Sequence, residues 1–100
     1  MKLTIEFNIE NVHNALSGPH SRSWTNDCYW DPHTCTGYVV DYLDENEPEI
    51  ELNMEKLEDG LIAMQKTNPY AFGRVISGNS DGVDGDTLLQ CMAFGERKYE

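Results

Sequence analysis

The chain has 100 residues and a formal net charge of −11, because 18 acidic residues outnumber seven Lys and Arg residues. This length predicts a single domain over residues 1–100, with a core that needs no obligatory disulfide or metal. A field this negative repels nucleic acid and anionic membranes and attracts basic partners, so direct DNA or RNA binding is excluded as the main activity. No apolar run reaches the roughly 18 residues of a membrane span.

The N-terminal stretch "MKLTIEFNIENV" alternates apolar and polar residues and includes Glu6 and Glu10. It lacks the continuous apolar segment of a signal peptide, which predicts a cytoplasmic protein. Thiols are mostly reduced in that compartment. The chain's three cysteines cannot all pair, and a Cys28–Cys35 disulfide is the less favoured alternative.

The spacing of apolar residues divides the first half of the chain into predicted strands, a helix and a loop. Alternation predicts a strand over residues 2–8, and helical spacing of apolar residues predicts a helix over 9–17, ended by Gly18–Pro19. Residues 19–36 follow neither period and predict a long loop, which its large aromatic residues keep ordered. "TGYVVDYL" predicts a second strand and "EIELN" a third, joined by the turn "DENEP". Ile50 and Leu52 would then face inward.

The second half of the chain is predicted to be helical. Asn53 is a plausible N-cap for a helix that ends at Asn68–Pro69, and Gly60 within this helix indicates close packing. "PYAFGRVI" predicts a short helical piece, and "SGNSDGVDGD" predicts a loop. The last helix is expected to start at a cap formed by Asp84 or Asp86 and to run through Phe94 to a stop at Gly95.

These elements predict an α+β fold, a small two-layer domain with about three antiparallel strands and two to three helices on one face. Glu6, Glu49 and Glu51 would share the open face of the sheet, because alternate strand residues point to one side.

Four potential zinc ligands lie close together in sequence: His20, Cys28, His33 and Cys35. Their types suit zinc, but the spacing is poor, because only one residue separates His33 from Cys35 and extended backbone would direct the two side chains to opposite sides. The alternative is a loop whose cysteines act as small apolar residues. We favour this alternative and predict no cofactor.

Neither a calcium loop nor a catalytic motif is recognisable. "NSDGVDGDTLLQ" places Val83, Asp84 and Gln90 where an EF-type loop that starts at Asn79 needs a ligand, a glycine and a glutamate. Known nucleophile, metalloprotease and phosphate-binding motifs are missing. A Cys28 pair with His33 or His13 stays open, since catalytic groups assemble in space. We predict that the protein is not an enzyme.

Aromatic residues are concentrated in and after the predicted loop, at Trp24, Tyr29, Trp30 and Tyr38. Such side chains anchor protein interfaces, and they also cover the ends of sheets. We expect one tryptophan to serve each purpose.

Residues 41–59, here called the acidic segment, contain nine acidic residues and one lysine, a net charge of −8. Charge runs are usually solvated faces or protect an edge strand. Clustering at this density costs self-repulsion, however, and a basic partner would offset that cost. The candidate partner-binding residues are Asp44, Glu45, Glu47, Glu49, Glu51, Glu55, Glu58 and Asp59, with Trp24, Tyr29 and Trp30 as anchors.

Several motifs resemble a family of short uncharacterised proteins from bacteriophages and prophage-like regions. "NALSG" resembles the family's N-A-L-x-G element, and "LNMEKLEDGL" resembles its L-x-L-x-K-L-x-x-G segment. The most specific likeness is to a D-x-x-x-x-D-x-x-x-Q-x-x-x-F-G-E-x-x-Y ending, matched by Asp81, Asp86, Gln90, Phe94, Gly95, Glu96 and Tyr99. The family's aromatic Y-W pair would correspond to Tyr29–Trp30 or to Trp24, after a longer stretch at residues 19–28 than the family has.

The resemblance implies a phage or mobile-element origin and a bacterial cytoplasm, and it carries over no catalytic residue. By analogy, small acidic phage proteins without catalytic motifs often occupy a nucleic-acid-binding surface of a host defence system, as anti-CRISPR and anti-restriction proteins do. We therefore predict a monomeric or homodimeric inhibitor that binds a basic surface of such a host complex. The alternatives are a structural phage protein whose acidity provides solubility, and a small-ligand protein that sequesters a signalling nucleotide.

Overall fold

A computed structural model of the chain describes residues 8–17 and 23–99. The fold is α+β, with a three-stranded antiparallel sheet and four helices among the described residues. In chain order the elements are α1 (Ile9–Ser17), β1 (Cys28–Asp31), β2 (Thr36–Val40), β3 (Glu49–Leu52), α2 (Met54–Thr67), α3 (Pro69–Ser77) and α4 (Gly82–Phe94).

The sheet has the order β1-β2-β3, and its register separates two faces. Trp30, opposite Gly37, and Leu52 lie on the inner face and are buried. On the outer face Tyr29 lies opposite Tyr38, which lies opposite Glu51. Helices α1 and α4 pack on the sheet at β1 and β3, so they cover the inner face.

One strand lies where the sequence predicts a loop. The strand predicted at residues 2–8 lies outside the described residues except for Asn8, which precedes α1. Strand β1 lies within the predicted loop 19–36, so the prediction of a continuous loop there is wrong. A strand of four residues is too short to show a period-2 pattern, and it forms because it pairs with β2.

The second strand ends earlier than predicted, at Val40. The buried carboxylate of Asp41 accepts the backbone N–H groups of Leu43 and Asp44, which turns the chain away from the sheet. The third strand follows the prediction, since Leu52 is buried and Ile50 is partly buried, while Glu49 and Glu51 are exposed.

Helices α1 and α2 have the predicted positions. The Asn53 side chain accepts the Lys56 N–H at 2.9 Å, which confirms the predicted N-cap. Gly60 lies where α2 approaches α4, and a Cβ there would come within 2.9 Å of the Met92 backbone nitrogen. The predicted short helical piece is the nine-residue helix α3, and a fourth helix exceeds the predicted number.

The last helix begins earlier than predicted. Asp81, and not Asp84 or Asp86, is its N-cap, and the Asp81 and Asp84 side chains each accept the other's backbone N–H. The loop predicted over "SGNSDGVDGD" is therefore limited to residues 78–81, between α3 and α4. The helix runs through Phe94, and Gly95 takes up the left-handed conformation, as predicted for a C-terminal stop.

The core lies between the sheet and the helices, where Val39 and Leu52 meet Leu57, Leu61 and Leu88. No helix of the described residues is long and apolar enough to cross a membrane.

Candidate functional site: the acidic segment and the outer sheet face

The acidic segment is divided between two parts of the fold. Glu49 and Glu51 are exposed on the outer face of β3, and Glu45 and Glu47 are exposed in the preceding turn. Asp44 is half-buried there, and its carboxylate accepts the Asn46 N–H. On α2, in the helical layer, Glu55 and Asp59 are exposed and Glu58 is half-buried. The residues predicted to form one surface therefore extend over both layers.

The described bases leave all of this segment's acids except Asp41 without an ion pair. Three of the five described Lys and Arg residues form ion pairs. Arg74 pairs with Asp84 and Arg97 with Asp86, both outside the segment, and Lys98 pairs with the buried Asp41 at its start. Among the described residues, none of the eight acids from Asp44 to Asp59 forms an ion pair. Their charge is left to solvent or to a partner.

Tyrosines form the centre of the outer sheet face. Tyr29 is 56% exposed, and its ring centroid lies 6.5 Å from that of Tyr38 on the neighbouring strand. The Tyr38 hydroxyl donates to the Asp27 carboxylate at 2.9 Å, and this hydrogen bond is the main cause of the raised pKa of Tyr38. Glu51 is the cross-strand neighbour of Tyr38, so the aromatic pair lies between carboxylates.

A cavity of about 350 Å³ opens near one end of this face, between residues 23–26 and Tyr42. The Tyr42 N–H donates to the Trp24 carbonyl, which joins the two segments. Desolvation and, next, the nearby Asp27 charge raise the pKa of Tyr42. The charge of Asp27 therefore contributes to the raised pKa of both Tyr38 and Tyr42. Sequence reasoning missed Asp27 and Tyr42 as members of this face, because neither belongs to a motif and only folding brings them together.

Neither tryptophan is exposed, which corrects the expectation that one of them would anchor a partner. Trp24 is 1% exposed and donates to the Asp86 carboxylate at 2.7 Å. Trp30 is 8% exposed and donates to Nδ1 of His13 at 3.0 Å. Both rings belong to the core, and of the three proposed anchors only Tyr29 presents its ring to solvent.

The residues that carry the family resemblance hold the C-terminal segment, residues 95–99, against the domain. Gln90 is fully buried and makes two hydrogen bonds to the Tyr99 backbone. The Phe94 and Tyr99 rings pack on Trp24, with centroids 5.3 and 5.9 Å away. Asp86 accepts the Trp24 N–H, and so these residues of the motif stabilise the fold around one tryptophan.

The three described candidate zinc ligands, Cys28, His33 and Cys35, do not form a metal site. Among the described residues no three His, Cys, Asp or Glu side chains are placed to hold a metal ion, and His20 lies outside those residues. Cys28 is on β1, whereas His33 and Cys35 lie in the tight turn to β2. In that turn the Asp31 carboxylate accepts the His33 N–H, which lowers the pKa of Asp31.

The calcium alternative is equally unsupported. Both carboxylate oxygens of Asp84 accept hydrogen bonds from Arg74, and those of Asp86 accept from Trp24 and Gln90. For catalysis, Nδ1 of His13 already accepts the Trp30 N–H and is not available to activate Cys28.

Comparisons with protein-family models, curated proteins and solved structures find no match to this chain. The bacteriophage-family resemblance therefore stays a prediction.

Proposed function

We propose that this protein is a non-enzymatic inhibitor of phage type that binds a basic, nucleic-acid-binding surface of a host defence complex, such as a CRISPR effector or a restriction enzyme. The proposal is carried by the charge of the eight acids from Asp44 to Asp59, which form no ion pair among the described residues. A surface that binds phosphate backbones is lined with Lys and Arg, and an acidic protein competes for it by electrostatic complementarity.

The distribution of the internal ion pairs supports this function over a role in solubility alone. Asp41, Asp84 and Asp86 each form an ion pair with a Lys or Arg side chain. Two of these acids, Asp41 and Asp84, are buried to 2% exposure or less. Burial makes an unpaired charge costly, so these pairs serve the fold. The acids of the turn, β3 and α2 form no ion pair among the described residues, which leaves their charges available to a partner.

The cavity beside Tyr42 does not favour the alternative function, the binding of a signalling nucleotide. Its described lining residues, Ser23 to Asn26 and Tyr42, include no Lys or Arg that could bind the phosphate of a nucleotide. The carboxylate of Asp27 near Tyr42 would repel such an anion.

Phage plating tests the proposal. The protein is expressed in bacteria that carry an active CRISPR or restriction system, and plaques are counted for a targeted phage. The wild-type protein should restore plaques, whereas the variant with Glu49, Glu51, Glu55 and Glu58 changed to Gln should not. The control E10Q/E96Q changes exposed acids outside the segment and should behave as wild type. Plaque counts that the protein leaves unchanged in every defence-active strain would contradict the proposal.

A further inference from the structure

The protein already contains one site where two aromatic rings and a carboxylate hold a cation. Lys98 Nζ lies 4.9 Å from the Phe94 ring centroid, 5.1 Å from that of Tyr99 and 3.6 Å from the Asp41 carboxylate. The Tyr99 hydroxyl donates to the same carboxylate at 2.8 Å. The negative faces of the rings and the carboxylate both stabilise the ammonium group.

The outer sheet face has a similar arrangement. Here the Tyr38 hydroxyl donates to Asp27 at 2.9 Å, and Tyr29 supplies the second ring at a centroid distance of 6.5 Å. The Phe94 and Tyr99 rings are 5.8 Å apart, a comparable spacing. Among the described residues, only Lys98 makes cation–π contacts, so no described base of this chain serves Tyr29 or Tyr38.

We propose that the outer sheet face binds a lysine or arginine side chain of the basic partner, between Tyr29, Tyr38 and the carboxylates of Asp27 and Glu51. This inference rests on the proposed function, because it names the group of the basic partner that is recognised. Three observations favour a cation: the partly exposed aromatic pair, its carboxylate neighbours, and the internal precedent at Lys98, although the ring planes there cross at 88° and those of Tyr29 and Tyr38 at 37°.

The geometry makes Tyr29 the contact that a partner reaches first. Its ring is 56% exposed and lies on β1, the edge strand of the described sheet. Tyr38 is half-buried on the central strand, and its hydroxyl donates to Asp27, which fixes the orientation of its ring beside Tyr29. A guanidinium group would stack on the exposed ring of Tyr29, and an ammonium group would approach the rings as Lys98 does.

Amide-resolved NMR titration of the full chain tests this proposal with three blocked tripeptides, Gly-Arg-Gly, Gly-Lys-Gly and Gly-citrulline-Gly. Citrulline retains the shape of arginine without its charge. The amides of Asp27, Tyr29, Tyr38 and Glu51 should shift with at least one cationic peptide and not with citrulline. A stronger response to one cation identifies the preferred head group.

Variants distinguish the face from general charge attraction. Tyr29→Ser should weaken peptide binding about two- to five-fold, the value of one exposed cation–π contact. Tyr70→Ser removes a tyrosine that is 82% exposed on α3 and should leave binding unchanged. Glu51→Gln retains the side-chain volume and should also weaken binding, which keeps the test valid if the Tyr29 variant folds poorly.

Two results would overturn the inference: equal shifts with citrulline, or shifts confined to the turn acids Glu45 and Glu47. The second result would leave the proposed function standing, because a basic group would still bind the acidic segment. Failure of the proposed function is seen independently, as unchanged plaque counts in defence-active bacteria.

Discussion

Gln90 and Tyr99 form a two-point hydrogen-bonded pair: the Gln90 side-chain oxygen accepts the Tyr99 N–H at 2.7 Å, and its nitrogen donates to the Tyr99 carbonyl at 3.0 Å. The Gln90 side chain thus satisfies both backbone groups of Tyr99, as a neighbouring β-strand would. The pair places the Tyr99 ring against Trp24 and its hydroxyl on Asp41. One buried amide therefore links α4, the C-terminal segment and the turn after β2.

Gln90→Ala is expected to reduce the free energy of unfolding by about 2–4 kcal/mol, because two backbone groups lose their partner and a buried volume is emptied. Denaturant unfolding measures the effect. Gln65→Ala, an exposed change on α2, is the control and should stay within about 0.5 kcal/mol of wild type. Equal stability of the two variants would show that the pair does not hold the segment.

Glycine-to-alanine substitutions in helices α2 and α3 should have opposite effects on the stability of the protein. At Gly60 a Cβ would meet the Met92 backbone, so alanine should destabilise the protein by about 1–3 kcal/mol. At Gly73 nothing lies within 4 Å of the added Cβ, so alanine should stabilise α3 by about 0.5–1 kcal/mol. Thermal unfolding of both variants checks the difference. Stabilisation by Gly60→Ala would contradict the close approach of α2 and α4.

Acid sensitivity should depend on Asp84. Two hydrogen bonds from Arg74 hold the pKa of this carboxyl below its ordinary value of 3.8. A depressed folded-state pKa means that the stabilisation is present above the unfolded-state value and is lost as the pH falls through the folded-state value. Asp84→Asn should therefore flatten the dependence of the unfolding free energy on pH below about 4. Identical pH profiles for the variant and the wild type would refute this role.

The tryptophans should affect stability and not partner binding. Trp24→Phe removes the hydrogen bond to Asp86 and should lower the unfolding midpoint, and so should Trp30→Phe through His13. Acrylamide should quench the native fluorescence of each single-tryptophan variant only weakly, because both indoles are buried. Strong native-state quenching of either one would place that indole at the surface and restore it as an interface anchor.

The sequence predicts those elements that show a regular pattern of apolar residues over many consecutive positions. Helices α1 and α2 show a helical period, and Asn53 precedes α2 as its only nearby capping residue. The start of α4 was harder to place, because Asp81, Asp84 and Asp86 are all good N-caps. Only the structure shows Asp84 engaged by Arg74 and Asp86 engaged by Trp24.

The outer sheet face was only partly predictable for a similar reason. The alternation in "EIELN" correctly placed Glu49 and Glu51 outward. Strand β1 has four residues and depends on β2 for its partner, so no local pattern revealed that Tyr29 would lie beside Tyr38. The burial of Trp24 and Trp30 depends on contacts with α4 and α1, which are distant in sequence.

Salt-dependent capture from a bacterial lysate tests most directly whether the acids from Asp44 to Asp59 bind a basic protein. Immobilised wild-type protein is compared with E49Q/E51Q, E55Q/E58Q and the control E10Q/E96Q, each of which removes two charges. We expect a basic protein that wild type and control retain at low salt and release at high salt, and that at least one of the two segment variants fails to retain. Retention of the same proteins by all four, independent of salt, would contradict this expectation.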